Sequence, residues 1–303
     1  MTSHLIQTLR DRFPSLTILP EEPLARHTSF RIGGAADALL LPASAEQLEA
    51  LCLFLRSAGE QPLLMGNGSN LLVGDAPLHR LVIKTAECAA TVTAPDGGTV
   101  ITADCGALLG TVAAAALRSS LRGMEFASGI PGTVGGAVMM NAGAYGGEIR
   151  QIAVRTEYLD EQLIKRVAAG EEQKFSYRHS LFCEKDCVIL RTMFSLQPGN
   201  KDAIARQMKE LAARRRESQP LEFPSAGSTF KRPAAGYAAA MIDAAGLKGL
   251  SVGDAMVSPK HAGFVINTGN ATCEDVLRLM DRVREEVKKH CGVELEPEVR
   301  IWR

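Results

Sequence analysis

Aromatic residues are scarce in this chain: they make up 5% of 303 residues, with a single tryptophan. A protein that reads nucleic acid by stacking bases on rings would have little to work with here. Charge of one sign is missing too, since 34 Lys plus Arg offset 34 Asp plus Glu. A phosphate backbone is normally met by a basic excess, so the even balance argues against a nucleic-acid partner while leaving room for one local basic pocket. No CxxC pair occurs among the seven cysteines, and Cys183 and Cys187 are the closest two. An odd number without metal-ligand spacing reads as reduced, buried thiols of a cytoplasmic protein, with neither a disulfide framework nor a zinc site; no metal is expected. The longest uncharged stretch, Phe126 to Gly147, has the length of a membrane span but holds seven glycines, a proline and an asparagine. In lipid the backbone groups of such a segment would go unpaired, so a binding loop is expected there and no membrane insertion. The opening MTSHLIQTLRDRF has no apolar run followed by a small-residue cleavage site, so no secretory leader is expected.

What is present is ordinary globular material, 46% hydrophobic and 22% charged. Its length suggests two or three domains, with cores built on aliphatic residues and alanine. Residues 44–59 predict a helix: Ser44 and Gln47 have capping-box spacing, Leu48, Leu51, Cys52 and Leu55 form an apolar stripe, and Gly59 supplies a stop. Strands are expected at 81–84 and 99–103, with a PDGG turn at Pro95 to Gly98, and a buried helix at 107–118. Further strands are expected at Ile152 to Leu159 and Val188 to Leu196, where Val188, Leu190, Phe194 and Leu196 share a face. A charged helix at 203–217 leads into SQPLEFPSAG, whose two prolines mark a domain boundary near residue 219. Thr272 with Asp275 predicts the start of a last helix, Val276, Leu279, Val283 and Val287 its buried face, and Gly292 its end. Alternating strands and helices argue for an α/β or α+β protein of more than one layer.

Three glycine-crowded loops stand out: RIGG (Arg31 to Gly34), GNGSNLL (Gly66 to Leu72) and the run from Gly129 to Gly147. Without a Cβ, the backbone approaches a ligand closely and points successive N–H groups at one anion. Several such loops in one chain suit a dinucleotide held by its pyrophosphate; the alternative is tight turns and close packing. Neither GxGxxG in its strand–turn–helix setting nor GxxxxGK[ST] is present. Further on, Ser228 in PSAGSTFKRP is either a reactive hydroxyl or a turn residue, as GxSxG is absent. Arg178 in FSYRHS is a surface cation or a bidentate carboxylate clamp. Lys260 and His261 precede a strand, and Glu296 and Glu298 lie in LEPEVRIW, where acids are normally solvated.

Taken in order, HTSFRIGG, GNGSNLLV, SGIPGTVGGAVMMNAGAYGGEI, SYRHS, PSAGSTFKRP, AGLKG, SPKHAGFVIN and LEPEVR resemble the UDP-N-acetylenolpyruvoylglucosamine reductase family, flavoenzymes that complete UDP-N-acetylmuramic acid for bacterial peptidoglycan. The motifs run from His27 to Arg300, nearly the whole chain. The resemblance implies an α+β fold: a two-part FAD-binding module of the vanillyl-alcohol-oxidase (PCMH) type at 1–85 and 86–218, then a C-terminal α+β substrate-binding domain at 219–303. It implies non-covalent FAD and NADPH as co-substrate. Gly66, Asn67, Gly68, Ser69, Asn70 and Leu71 would cradle the FAD pyrophosphate. Ile130, Pro131, Gly132, Thr133, Gly135, Gly136 and Ala137, with Asn141, Ala142, Gly143 and Ala144, would line the isoalloxazine and adjoining parts of the cofactor.

The same resemblance gives the isolated residues roles. Hydride delivered to the enolpyruvyl ether of UDP-N-acetylglucosamine enolpyruvate places charge on the neighbouring carbon and its carboxylate, which a site must stabilise. Arg178 would grip that carboxylate, Glu298 would share a proton with it, and Ser228 would protonate the carbanion. Lys231, Arg232 and Lys260 are the cations expected at the substrate diphosphate, with Tyr177 and Asn267 as polar contacts. Only 29 residues separate Ser228 from Ser258, which leaves no room for the insertion that places a lid tyrosine in some members. A cytoplasmic monomer is expected. Two other readings stay open: an oxidase of the same FAD fold, flavinylated through His27, and a nucleotide-sugar-binding protein without catalysis.

Overall fold

Leu48, Leu51, Cys52 and Leu55 form the buried face of the helix Ala45–Ser57, and the Ser44 hydroxyl caps it by accepting from the Gln47 N–H at 3.1 Å. This matches the spacing that predicts it. The computed structural model describes residues 3–87, 91–94, 97–185 and 187–303, so Pro95 and Asp96 of the expected PDGG turn lie outside it. The described chain forms two compact units, each with its own core.

The first unit comprises Met1–Pro20, Ala38–Asn67 and Arg80–Arg214. One of its sheets has the order Thr17–Pro20, Ala36–Leu41, Leu78–Lys84, Leu63–Met65. Leu63–Met65 runs parallel to its neighbour and Thr17–Pro20 antiparallel. A second sheet is antiparallel throughout, in the order Lys165–Ala169, Ala153–Leu159, Val188–Ser195, Val100–Asp104, Val92–Thr93. Its central strand Val188–Ser195 buries Ile189 as well as Val188, Leu190 and Phe194, while Arg191 and Met193 are half-buried. The helices Leu109–Arg118 and Val134–Met139 add Val112, Ala116, Val134 and Val138 to one continuous core with Leu9, Leu48, Leu81 and Ile101. Three polar side chains inside it satisfy one another: the Thr156 hydroxyl donates to Gln173 Oε1 at 2.8 Å and lies 3.2 Å from the Thr192 hydroxyl.

The second unit comprises Glu21–Asp37, Gly68–His79 and Arg215–Arg303. Its antiparallel sheet has the order Ser225–Ser228, Phe264–Asn267, Ala255–Val257, Ser251–Val252. The helix Cys273–Cys291 packs Val276, Leu279, Val283 and Val287 into the core, where Phe30, Ile32 and Leu72 from far earlier in the chain join them. Thr272 and Asp275 form the expected capping box, and Gly292 ends the helix at φ 69°. Asp75 takes the Cys273 and Glu274 N–H groups at 2.8 and 3.3 Å, so four N-terminal donors find acceptors. Leu71–Val73 and Arg300–Trp302 pair in parallel. In RIGG, a Cβ on Gly34 would lie 2.2 Å from the Ala76 carbonyl oxygen, so close packing accounts for that glycine.

Candidate active site

Within the first unit, the glycine run from 129 to 147 is stitched to the end of the strand Val100–Asp104 and to the segment leading from it into the helix Leu109–Arg118. The Leu109, Val134 and Gly135 N–H groups bond to the carbonyls of Gly132, Ala107 and Cys105 at 3.0, 2.8 and 2.8 Å. Thr133 starts the helix Val134–Met139 inside this run, its hydroxyl accepting from the Gly136 N–H. The other glycine loop comes alongside: Asn67 Nδ2 donates to the Pro131 carbonyl at 2.8 Å. A Cβ on Gly66 would lie 2.4 Å from Thr133 Oγ1, so only glycine fits there. Gly68, at φ 63°, belongs with Ser69, Asn70 and Leu71 to the second unit. Ser29 holds this half of the loop, its N–H donating to the Gly68 carbonyl at 3.1 Å while its hydroxyl donates to the Ser225 carbonyl at 2.7 Å. A backbone without a side chain at Gly66, and left-handed at Gly68, is of the kind that lets a pyrophosphate approach closely, which is compatible with FAD.

Asn141 locks the glycine run from within. It is 1% exposed at φ 42°; its Nδ2 donates to Glu148 Oε2 and the Ser176 carbonyl at 3.0 and 2.9 Å, and its Oδ1 accepts from the Arg150 N–H at 2.9 Å. The bond to Ser176 reaches the turn that carries Arg178. Ser176 and His179 exchange backbone hydrogen bonds at 3.0 and 3.1 Å, and Arg178 sits in that turn at φ 54°. On its far side the buried Ser180 hydroxyl donates to the Met139 carbonyl at 2.7 Å, at the end of the helix Val134–Met139. The turn is thus tied at both ends to the run holding Ile130, Gly132, Gly135, Ala137, Ala142, Gly143 and Ala144. The Arg178 guanidinium lies 5.3 Å from the centre of the Tyr177 ring, a cation–π contact.

In the second unit Ser228 ends the strand Ser225–Ser228, paired with Phe264. The N–H of the next residue, Thr229, donates to the Gly263 carbonyl, and its own carbonyl accepts from the Glu298 N–H, both at 2.8 Å. Asn70 grips the same segment: its Nδ2 donates to the Glu298 carbonyl at 3.2 Å and its carbonyl accepts from the Arg300 N–H at 3.0 Å. Ser228 and Glu298 are therefore brought onto adjoining backbone, and Glu298 is half-buried rather than solvated.

The expected substrate contacts are engaged in different ways. Lys231 pairs with Glu296, Arg232 stacks 4.2 Å over the Tyr237 ring, and Lys260 Nζ donates to the Arg216 carbonyl at 2.7 Å. Asn267 is 3% exposed, and its amide ties the Phe30 carbonyl to the Gly269 and Ala271 N–H groups. His261 Nδ1 accepts from the Gly263 N–H at 3.1 Å, and its ring meets Phe264 edge-on. Burial holds its pKa below the usual 6.5, with the Lys248 charge adding to the effect. His27, the residue a flavinylated oxidase would use, has its Nε2 2.9 Å from Glu22 Oε1. Sequence reasoning gave no role to Thr229 or Asp75, whose bonds join segments distant in the chain and carry no local spacing.

Residues 219–302 match the family model described as UDP-N-acetylenolpyruvoylglucosamine reductase, C-terminal domain, and residues 36–162 match one described as FAD binding domain. The chain is 46% identical over 301 residues to the UDP-N-acetylenolpyruvoylglucosamine reductase of Caldanaerobacter subterraneus, covering 99% of each chain. It is also 46% identical to that of Agathobacter rectalis, again over 99% of each. Among solved structures, that of the same reductase from Thermus caldophilus superposes with a TM-score of 0.78 at 34% identity, covering 95% of this chain and 99% of the other. The fold is therefore an FAD-binding domain followed by the reductase C-terminal domain, in that order along the chain as expected. The chain belongs to the UDP-N-acetylenolpyruvoylglucosamine reductase family, FAD-dependent oxidoreductases of peptidoglycan precursor synthesis.

Proposed function

We propose that this protein reduces the enolpyruvyl ether of UDP-N-acetylglucosamine enolpyruvate to UDP-N-acetylmuramate, with NADPH as reductant. The observation that carries the reading is the Glu298 N–H bonded to the Thr229 carbonyl at 2.8 Å, one residue after Ser228. It supports a hydroxyl and a carboxyl acting on one small substrate. FAD bound here would supply hydride-transfer chemistry between NADPH and the enolpyruvyl double bond. The backbone of Gly66 to Leu71 would hold its pyrophosphate, with residues 130–137 and 141–144 along its ring system.

The protein's own residues then deal with charge and proton. The Arg178 guanidinium binds the substrate carboxylate through paired hydrogen bonds, stabilising negative charge as it spreads from the reacting carbon. Glu298 contributes a proton shared with that carboxylate, and the Ser228 hydroxyl protonates the carbon, its alkoxide regaining a proton from solvent. A serine is a weak acid, but a carbanion is a very strong base, and a hydroxyl already in place needs no matched pKa. Lys231, Arg232 and Lys260 would offset the diphosphate charge, with Tyr177 and Asn267 as polar contacts. In this reading 1–85 and 86–218 form the cofactor module and 219–303 the substrate domain, in a cytoplasmic monomer.

One anaerobic spectral experiment tests it. The yellow protein should bleach on adding NADPH and regain its colour on adding UDP-N-acetylglucosamine enolpyruvate. Ser228→Ala should bleach at the normal rate and recover about 100-fold or more slowly. Equal slowing of both phases would remove Ser228 from its role, and bleaching without recovery would remove the substrate. A colourless protein that FAD cannot reconstitute would favour a binding role without catalysis.

A further inference from the structure

Thr229 lies between the two groups proposed to handle the proton, and it is only 3% exposed. Each of its polar groups is engaged. Its N–H donates to the Gly263 carbonyl at 2.8 Å, its hydroxyl accepts from the Val265 N–H at 3.0 Å, and its carbonyl accepts from the Glu298 N–H at 2.8 Å. The strand just before it is irregular, with the register shifting between the Ser225–Ile266 and Ser228–Phe264 pairs. Where a ladder is interrupted the backbone alone does not fix the strand end. Here a side-chain hydroxyl clamps it to the neighbouring strand.

We propose that Thr229 is a positioning residue for the proton transfer, setting Ser228 and Glu298 at a fixed separation. Ser228 hangs from it covalently and Glu298 through its carbonyl, so a rotation of Thr229 moves both groups. Asn70 completes the clamp from the other side of Glu298. Removing the hydroxyl while keeping the branched shape takes the acceptor from the buried Val265 N–H, a loss the strand relieves by shifting. This role rests on the function proposed above and adds to it a residue that need not touch the substrate.

The test is Thr229→Val beside Thr229→Ser in the flavin-loaded full chain, with reduction by NADPH as the internal control. Thr229→Val is expected to slow flavin reoxidation by substrate tenfold or more, with KM within threefold of the parent. Its solvent deuterium isotope effect on reoxidation should rise, as proton transfer becomes the slow step. Thr229→Ser should restore the rate to within threefold. Hydrogen exchange in the peptide spanning 262–267 should quicken in Thr229→Val and return to normal in Thr229→Ser, a reading independent of turnover. If the valine variant does not fold, Thr229→Ala is judged by the same measures. Wild-type reoxidation in Thr229→Val, or equal slowing in Thr229→Ser, would overturn the assignment while leaving the function standing. A parent protein that bleaches with NADPH but is not reoxidised by substrate would overturn both.

Discussion

His261 shows how one buried ring ties acidity to stability. In the folded chain its Nδ1 accepts from the Gly263 N–H and its pKa lies below the usual 6.5 because burial disfavours the charged form. The unfolded chain therefore takes up the proton first as pH falls. The stabilisation by neutral His261 is full above about pH 6.5 and is lost as pH falls from there through the folded value. Urea unfolding of wild type and His261→Phe between pH 5 and 8 should show wild-type stability falling more steeply below pH 6.5. The phenylalanine variant, lacking the acceptor for Gly263, should start from a lower plateau. A constant difference between the two across the range would refute the account. At this scale, Arg178, Ser228 and Glu298 could be picked out because short motifs surround them. The backbone-holding tasks of Asn141 and Asn267 could not, since their partners at Ser176 and Phe30 are 35 and 237 positions away.

The helix Cys273–Cys291 is the element best legible in the sequence, because its signals are all local: capping box, apolar stripe, basic last turn and terminal glycine. Thr272→Ala removes the hydroxyl that accepts from the Asp275 N–H and should cost about 1 kcal/mol in urea unfolding at neutral pH. A change below a few tenths would mean that Asp75, at the Cys273 and Glu274 N–H groups, carries the cap alone. The helix Val134–Met139 was not legible. Its glycines disfavour a helix, and it forms because Thr133 caps it and Val134, Ala137 and Val138 are drawn into the core. The irregular pairing after Ser225 was equally hidden, since a register shift depends on the partner strand.

At the scale of the molecule, the composition shift near residue 219 coincides with the start of the family's C-terminal domain match, yet the compact unit around it also takes in Glu21–Asp37 and Gly68–His79. Phe30, Ile32 and Leu72 sit in its core, and Leu71–Val73 is the partner strand of Arg300–Trp302. Such contacts leave no period in a sequence. A fragment of residues 215–303 lacks all of these and should show no cooperative urea transition by far-ultraviolet circular dichroism. A sharp transition would mean that the early segments decorate a self-sufficient domain.

The parallel pairing of Arg300–Trp302 with Leu71–Val73 also sets a timetable on the ribosome. At roughly 5–20 residues per second, the strand made early waits on the order of 10–45 seconds for its partner to be synthesised. During that interval Leu72 has only Phe30 and Ile32 of its core and no strand partner, and nascent chains cut short before residue 300 never acquire that partner. Completion of the second unit is thereby a check on translation itself: only chains read through to Trp302 can close it.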